Sequence, residues 1–173
     1  MADLRVGIIG CGGIAQSVHA PAYKQHDQTT LSALVDLNED SRRKLATKFD
    51  VPSTYGDSDE MFECEDIDVV SICTPPHTHE EIFISAVRNG CHVLCEKPFT
   101  TKPESAIRMN EFVEEHDSIV QIGYDLRYFG NFRRAVEIVK GGTLGEIYEF
   151  NVTYHRPSPK SDWYYDEKQA GGG

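Results

Sequence analysis

The sequence contains no long hydrophobic run: no stretch approaches the ~20 apolar residues of a membrane span. The amino terminus, Met1-Ala2-Asp3-Leu4-Arg5, also lacks the apolar core of a secretory signal. There is no Lys/Arg-rich run, and 17 basic against 28 acidic residues leave a formal net charge of −11. That balance argues against nucleic acid and against an anionic membrane surface, both of which need basic footprints. The five cysteines form no CxxC pair. Cys11, Cys64, Cys73, Cys91 and Cys95 read as reduced thiols of a cytoplasmic protein. His77 and His79 stand two apart with no further Cys/His cluster to join, so no metal site is expected. No internal repeat or low-complexity tract interrupts the chain. What is present, 39% hydrophobic and 26% charged residues over 173 positions, suits one globular domain, or one domain and part of another.

Apolar runs and helical spacings alternate from the start. Leu4 to Ile9 reads as a buried strand that stops at glycine, and Ile14 to about Gln25 as a helix that Pro21 kinks or ends. Leu31 to Val35 is a second strand, and Asp40 to Phe49 a helix. Between Asp57 and Asp68 seven of twelve residues are acidic, which reads as a solvated loop and short helix. Ile67 to Cys73 is a strand broken by Thr74-Pro75-Pro76, followed by a helix from Glu80 to Asn89. Cys91 to Cys95 is a strand, Pro103 opens a helix running to about His116, and Ile119 to Ile122 closes the set. Strands separated by helices predict an α/β fold, a doubly wound parallel sheet of Rossmann type with both faces covered. The pattern changes near Gly123. Phe129 to Lys140 reads as a helix, and Ile147 to Tyr154 alternates apolar and polar residues as a strand of an antiparallel sheet would. The expected organisation is a nucleotide-binding domain over 1–122 and an incomplete α+β substrate domain over 123–173.

Two segments carry chemistry. Gly10-Cys11-Gly12-Gly13-Ile14-Ala15 is a G-x-G-x-x-A pattern between the first strand and the first helix. Gly10 allows the tight turn, Gly12 lets backbone approach a diphosphate, and Ala15 lets the helix pack closely on the strand. Asp36 ends the second strand 21 residues after Ala15, where a carboxylate accepts hydrogen bonds from the adenosine ribose. A carboxylate there repels a 2′-phosphate, which favours NAD over NADP. Arg42 and Arg43 lie close enough to answer a phosphate but read as solvent-facing. The second segment, Glu96-Lys97-Pro98, directly follows a strand, where ligands of open α/β sheets collect. A lysine in that cleft can exchange a proton with a substrate hydroxyl.

Together these residues resemble the glucose–fructose oxidoreductase, inositol dehydrogenase and MocA family. Val69 to His79 resembles its strand and Thr-Pro loop, and Gly90 to Pro98 its Glu-Lys-Pro signature. Gly123-Tyr124-Asp125-Leu126-Arg127-Tyr128 is similar to a further family segment in which Asp125 replaces the usual Asn. Gly142 to Ile147, and Asp162-Trp163 up to Gly173, are similar to the start of the family's substrate domain. The resemblance implies that Gly10, Gly12, Gly13, Ile14 and Ala15 hold the diphosphate and Asp36 the ribose. It implies that Thr74, Pro75 and His77 line the nucleotide, with Glu96, Lys97 and Pro98 near the nicotinamide. Lys97 is the implied catalytic residue, and Lys97, Tyr124 and Arg127 the implied substrate contacts. Arg127 as an interdomain salt bridge remains an alternative. Trp163, Tyr164 and Tyr165 suit a sugar-stacking platform or the aromatic core of the second domain.

The implied function is transfer of a hydride between a nicotinamide coenzyme and a secondary alcohol of a sugar, sugar derivative or cyclic polyol. Alternatives are an NAD-dependent glycosidase of the same family and a non-catalytic nucleotide-binding sensor. The Asp and His that follow the glycine run in the family are absent here, so the chain reads as an amino-terminal portion with little or no turnover of its own. A homo-oligomer is expected only of a full-length form.

Overall fold

A computed structural model describes residues 3–153, 155 and 162–171. Six strands form one all-parallel sheet: β1 (Leu4–Ile9), β2 (Thr29–Val35), β3 (Ser53–Tyr55), β4 (Val69–Ile72), β5 (His92–Cys95) and β6 (Val120–Ile122). Their order is β3-β2-β1-β4-β5-β6, so the strand order reverses between β1 and β4. In such sheets the crevice outside the carboxyl ends of the strands, at that reversal, is where ligands bind.

Alternation along β1 explains the two covered faces. Val6 and Ile8 pack with Leu31, Leu34, Ala15, Ala20 and Leu45, so this face is covered by α1 (Ala20–Gln25) with its preceding turn and by α2 (Glu39–Phe49). Ile9 packs with Val70 and Ile72 of β4 and with Met61, Phe83 and Met109, which α3 (Ser58–Cys64), α4 (His79–Arg88) and α5 (Pro103–Glu114) supply. The acidic stretch after Asp57 therefore contributes to the core. Asp57 caps α3 by accepting from the Asp59 and Glu60 amides, and Met61 is fully buried.

Three features differ from expectation. Pro21 does not end its helix: a π-helical turn, Ala15–His19, runs directly into α1, and Pro21 is the second residue of α1. β3 went unread because three half-buried residues carry no alternation. The segment 147–153 forms no strand among the described residues, because no neighbouring segment offers it a hydrogen-bond ladder. Tyr154 lies outside the described residues, as do Gly172 and Gly173.

The contacts divide the chain into Met1–Gly123 with Trp163–Gly173, and Tyr124–Asp162. In the first unit, α7 (Glu167–Ala170) packs on the 3-10 turn Pro76–Thr78. In the second, α6 (Gly130–Lys140) and residues 144–151 surround an open groove of about 530 Å³ lined by Ile138, Val139, Leu144, Ile147 and Phe150. No helix among the described residues is long and apolar enough to cross a membrane.

Candidate functional site

The residues singled out in the first unit lie at the carboxyl ends of β1, β2, β4 and β5, and the sheet ladder continues through them. Gly10 N–H donates to the Val35 carbonyl (2.8 Å), Cys73 N–H to Ile9 (2.7 Å), Glu96 N–H to Ile72 (2.9 Å) and Gly123 N–H to Cys95 (2.8 Å). Adjacent loops are thereby held at fixed heights along one rim. Gly10 has φ +95°, and a Cβ there would stand 2.7 Å from the Cys73 carbonyl carbon and 2.8 Å from Thr74 N. Gly12 and Gly13 differ: a Cβ on either would meet no atom within 4 Å. No side chain caps the π-helical turn that follows, and the first N–H groups of a helix have no partner within it. Open glycine backbone beside an uncapped helix end fits a diphosphate. Ala15 is fully buried, as close helix–strand packing requires, and Ile14 is partly exposed.

Asp36 faces this turn. Its Oδ2 accepts from Cys11 N–H (2.7 Å) and its Oδ1 from Asn38 N–H (2.8 Å). Each carboxylate oxygen keeps a further lone pair, so both remain available to hydroxyl donors. Arg42 departs from the solvent-facing expectation, because its Nη1 donates to the Asp36 carbonyl at 3.0 Å. Arg43 pairs with Glu39 on the exposed side of α2. Burial, then the Asp36 charge, pushes the Cys11 thiol up to about 12, and burial with Glu96 does the same to Cys95. Neither is a nucleophile at neutral pH.

In the loop after β4, Thr78 Oγ1 lies 2.8 Å from Thr74 Oγ1 and 2.9 Å from the Pro75 carbonyl. His77 is exposed. His79 is fully buried at the start of α4, and its Nε2 donates to the Thr74 carbonyl (2.9 Å). Its Nδ1 lies 3.4 Å from Cys95 Sγ and 3.2 Å from the Phe99 carbonyl. His79 thus ties the Thr-Pro loop to the segment after Pro98. Burial holds the imidazole below its ordinary value of 6.5 against hydrogen bonds to Thr74, Phe99 and Pro98 carbonyls that raise it. The unfolded chain therefore takes up this proton first as pH falls, and the fold loses stability from about pH 6.5 downward until the folded value is passed. Urea midpoints should fall between pH 7.5 and 5.5, and His79→Gln should flatten that part of the profile; an unchanged slope in the variant would assign the loss elsewhere.

Glu96 is held through both carboxylate oxygens. Its Oε1 accepts from His19 Nε2 (2.9 Å) and its Oε2 from the Lys97 backbone N–H (3.1 Å). Burial pushes its carboxyl up, but the hydrogen bond from His19 and the contacts with Lys97 outweigh this and leave it below the usual range. A Cβ at Gly123 would sit 3.2 Å from Glu96 Oε1, so any larger residue there would make the carboxylate shift by a few tenths of an ångström. Lys97 and Pro98 are exposed. Sequence reasoning missed His19. The available signal was its spacing of four from Ala15, which puts both residues on the helix face turned to the sheet. Tyr124 and Arg127 belong to the second unit, where Arg127 N–H donates to the Tyr124 carbonyl in the turn Asp125–Tyr128.

Residues 4–124 match a family described as an oxidoreductase family with an NAD-binding Rossmann fold, and residues 132–173 match the GFO/IDH/MocA C-terminal domain. A myo-inositol 2-dehydrogenase of Thermotoga maritima is 33% identical over 156 residues, covering 90% of this chain and 46% of the relative. A scyllo-inositol dehydrogenase from Lactobacillus casei, solved with NAD(H) and scyllo-inositol, superposes with a TM-score of 0.78 at 25% identity, covering 83% of this chain and 43% of that one. A 3-ketoreductase from Actinomadura kijaniata in complex with NADP superposes with a TM-score of 0.76 at 28% identity, covering 83% and 45%. The chain spans about half the length of the curated relatives it matches. With the glycine turn, Asp36 and the Glu-Lys-Pro loop gathered on one rim of a doubly wound sheet, the chain belongs to the GFO/IDH/MocA oxidoreductase family.

Proposed function

We propose that this chain is the coenzyme-binding part of a NAD(P)-dependent dehydrogenase that oxidises a secondary alcohol of a sugar or cyclic polyol, and that it carries the proton-transfer lysine. The observation that carries the reading is the juxtaposition at the β1/β4 crevice. The open turn Gly12-Gly13, the Asp36 carboxylate and the exposed Lys97 side chain stand at the carboxyl ends of β1, β2 and β5, with β4 between β1 and β5. The coenzyme, when bound, supplies the hydride acceptor. The chain's own groups do the rest. Gly10, Gly12, Gly13, Ile14 and Ala15 form the turn and helix end that hold the diphosphate, and Asp36 takes ribose hydroxyl protons into hydrogen bonds. Thr74, Pro75 and His77 line the nucleotide, and Glu96 and Pro98 flank Lys97. The Lys97 amine exchanges the substrate hydroxyl proton as the carbon gives up its hydride, and returns it in the reverse direction. Tyr124 and Arg127 are the proposed substrate contacts of the second unit, Arg127 through the donor fork that suits sugar oxygens.

NAD is the proposed coenzyme in preference to NADP, because the Asp36 carboxylate repels a 2′-phosphate. Arg42, already at the Asp36 carbonyl, supplies the counter-charge once that carboxylate is neutralised. Asp36→Asn is therefore expected to weaken NADH by about tenfold and to shift the NADPH/NADH preference toward NADPH. Fluorescence titration of both reduced coenzymes reads the ratio, and an unchanged ratio would contradict Asp36 as the selecting group.

A further inference from the structure

A buried polar chain joins the helix after the glycine turn to the Glu-Lys-Pro loop. Tyr23 Oη lies 3.0 Å from Ser71 Oγ, Ser71 Oγ 2.9 Å from His19 Nδ1, and His19 Nε2 2.9 Å from Glu96 Oε1. His19 is 6% exposed and Ser71 fully buried. An ionised carboxylate only accepts, so Nε2 carries a proton toward Glu96. A consistent direction follows: Tyr23 donates to Ser71, Ser71 to Nδ1, and Nε2–H to Glu96. The other carboxylate oxygen accepts the Lys97 backbone N–H at 3.1 Å, and Gly123 closes against Oε1. The π-helical turn Ala15–His19 belongs to the helix that follows the glycine turn. His19 thus stands between the diphosphate side of the crevice and the backbone from which Lys97 departs.

We propose that His19 is a positioning residue: acting through the Glu96 carboxylate, it fixes the Lys97 backbone and couples it to the helix at the glycine turn. The proposal rests on the dehydrogenase reading above. It separates two coenzyme halves, since ADP engages the glycine turn and Asp36 without reaching the Glu-Lys-Pro loop, whereas NADH reaches that loop. His19→Leu keeps most of the volume and removes both hydrogen bonds, and His19→Gln keeps an amide donor for Glu96. In the 173-residue chain His19→Leu is expected to weaken NADH about tenfold or more while ADP stays within about threefold. His19→Gln should recover most of the NADH affinity. Should His19→Leu fail to fold, Ser71→Ala, which removes the Nδ1 partner, should give a loss of about fivefold for NADH and none for ADP. Equal losses for ADP and NADH, or no loss for NADH, would overturn the proposal. If the unaltered chain binds no NADH, the dehydrogenase reading fails, and the Lys97 amide resonance in the coenzyme-free chain decides the inference. It should move in His19→Leu or Ser71→Ala and return toward its original position in His19→Gln; an unmoved resonance overturns the coupling.

Discussion

Gly10→Ala is expected to lower the unfolding free energy by roughly 2–5 kcal/mol and to remove coenzyme binding. The conformation at φ +95° costs an L-residue about 1–3 kcal/mol before any contact is considered. The added methyl would then stand 2.7 Å from the Cys73 carbonyl carbon, 2.8 Å from its oxygen and 2.8 Å from Thr74 N, all backbone atoms. Neither strand end can yield easily, because Gly10 N–H is bonded to Val35 and Cys73 N–H to Ile9. The β1 and β4 loops would separate, and with them the turn that faces the diphosphate. Gly12→Ala is the control. Its methyl meets no protein atom within 4 Å, so stability should change by no more than about 0.5 kcal/mol, while coenzyme binding falls because the methyl occupies the approach. Urea unfolding and NADH titration on the two variants measure both effects, and similar stability for both would contradict the packing argument at Gly10.

Lys97→Ala should lower turnover of a sugar or polyol by about 10²–10⁴, the usual worth of a positioned acid–base group. It should leave coenzyme affinity nearly intact, measured on the protein at the length that turns over substrate. The side chain is exposed, and the backbone N–H that holds Glu96 survives the substitution. Little else is therefore disturbed, and stability should stay within about 0.5 kcal/mol. Unchanged turnover would remove Lys97 from proton transfer. A parallel loss of coenzyme affinity would point instead to a binding role.

Much of the fold was legible because each buried strand ends on a residue with its own local reason: Gly10, Asp36, Thr74-Pro75 and Glu96. These are also the positions where an open parallel sheet gathers its ligands, so the candidate residues were marked along with the strands. What escaped depends on contacts between segments distant in sequence. Ser53–Tyr55 is a strand only because β2 offers an edge, and nothing in three polar or aromatic residues announces it. Met61 lies in an acidic stretch, yet it fills the space left by Gly7, where a Cβ would stand 2.9 Å from its sulfur. His19 and His79 look like isolated histidines in sequence. Their roles arise from partners 52 and 77 residues away for the first, and 5 and 20 residues away for the second. The alternation of 147–153 indicates strand propensity, but a strand also requires a partner, and none lies beside it among the described residues.

The most direct measurement is titration of the 173-residue chain with NAD, followed by calorimetry and by the backbone amide resonances of Gly12, Gly13 and Cys11. One saturable site, with those amides and the Lys97 amide moving together, is the predicted result. No heat at millimolar coenzyme, with all four amides unmoved, would contradict the assignment of this crevice to a dinucleotide.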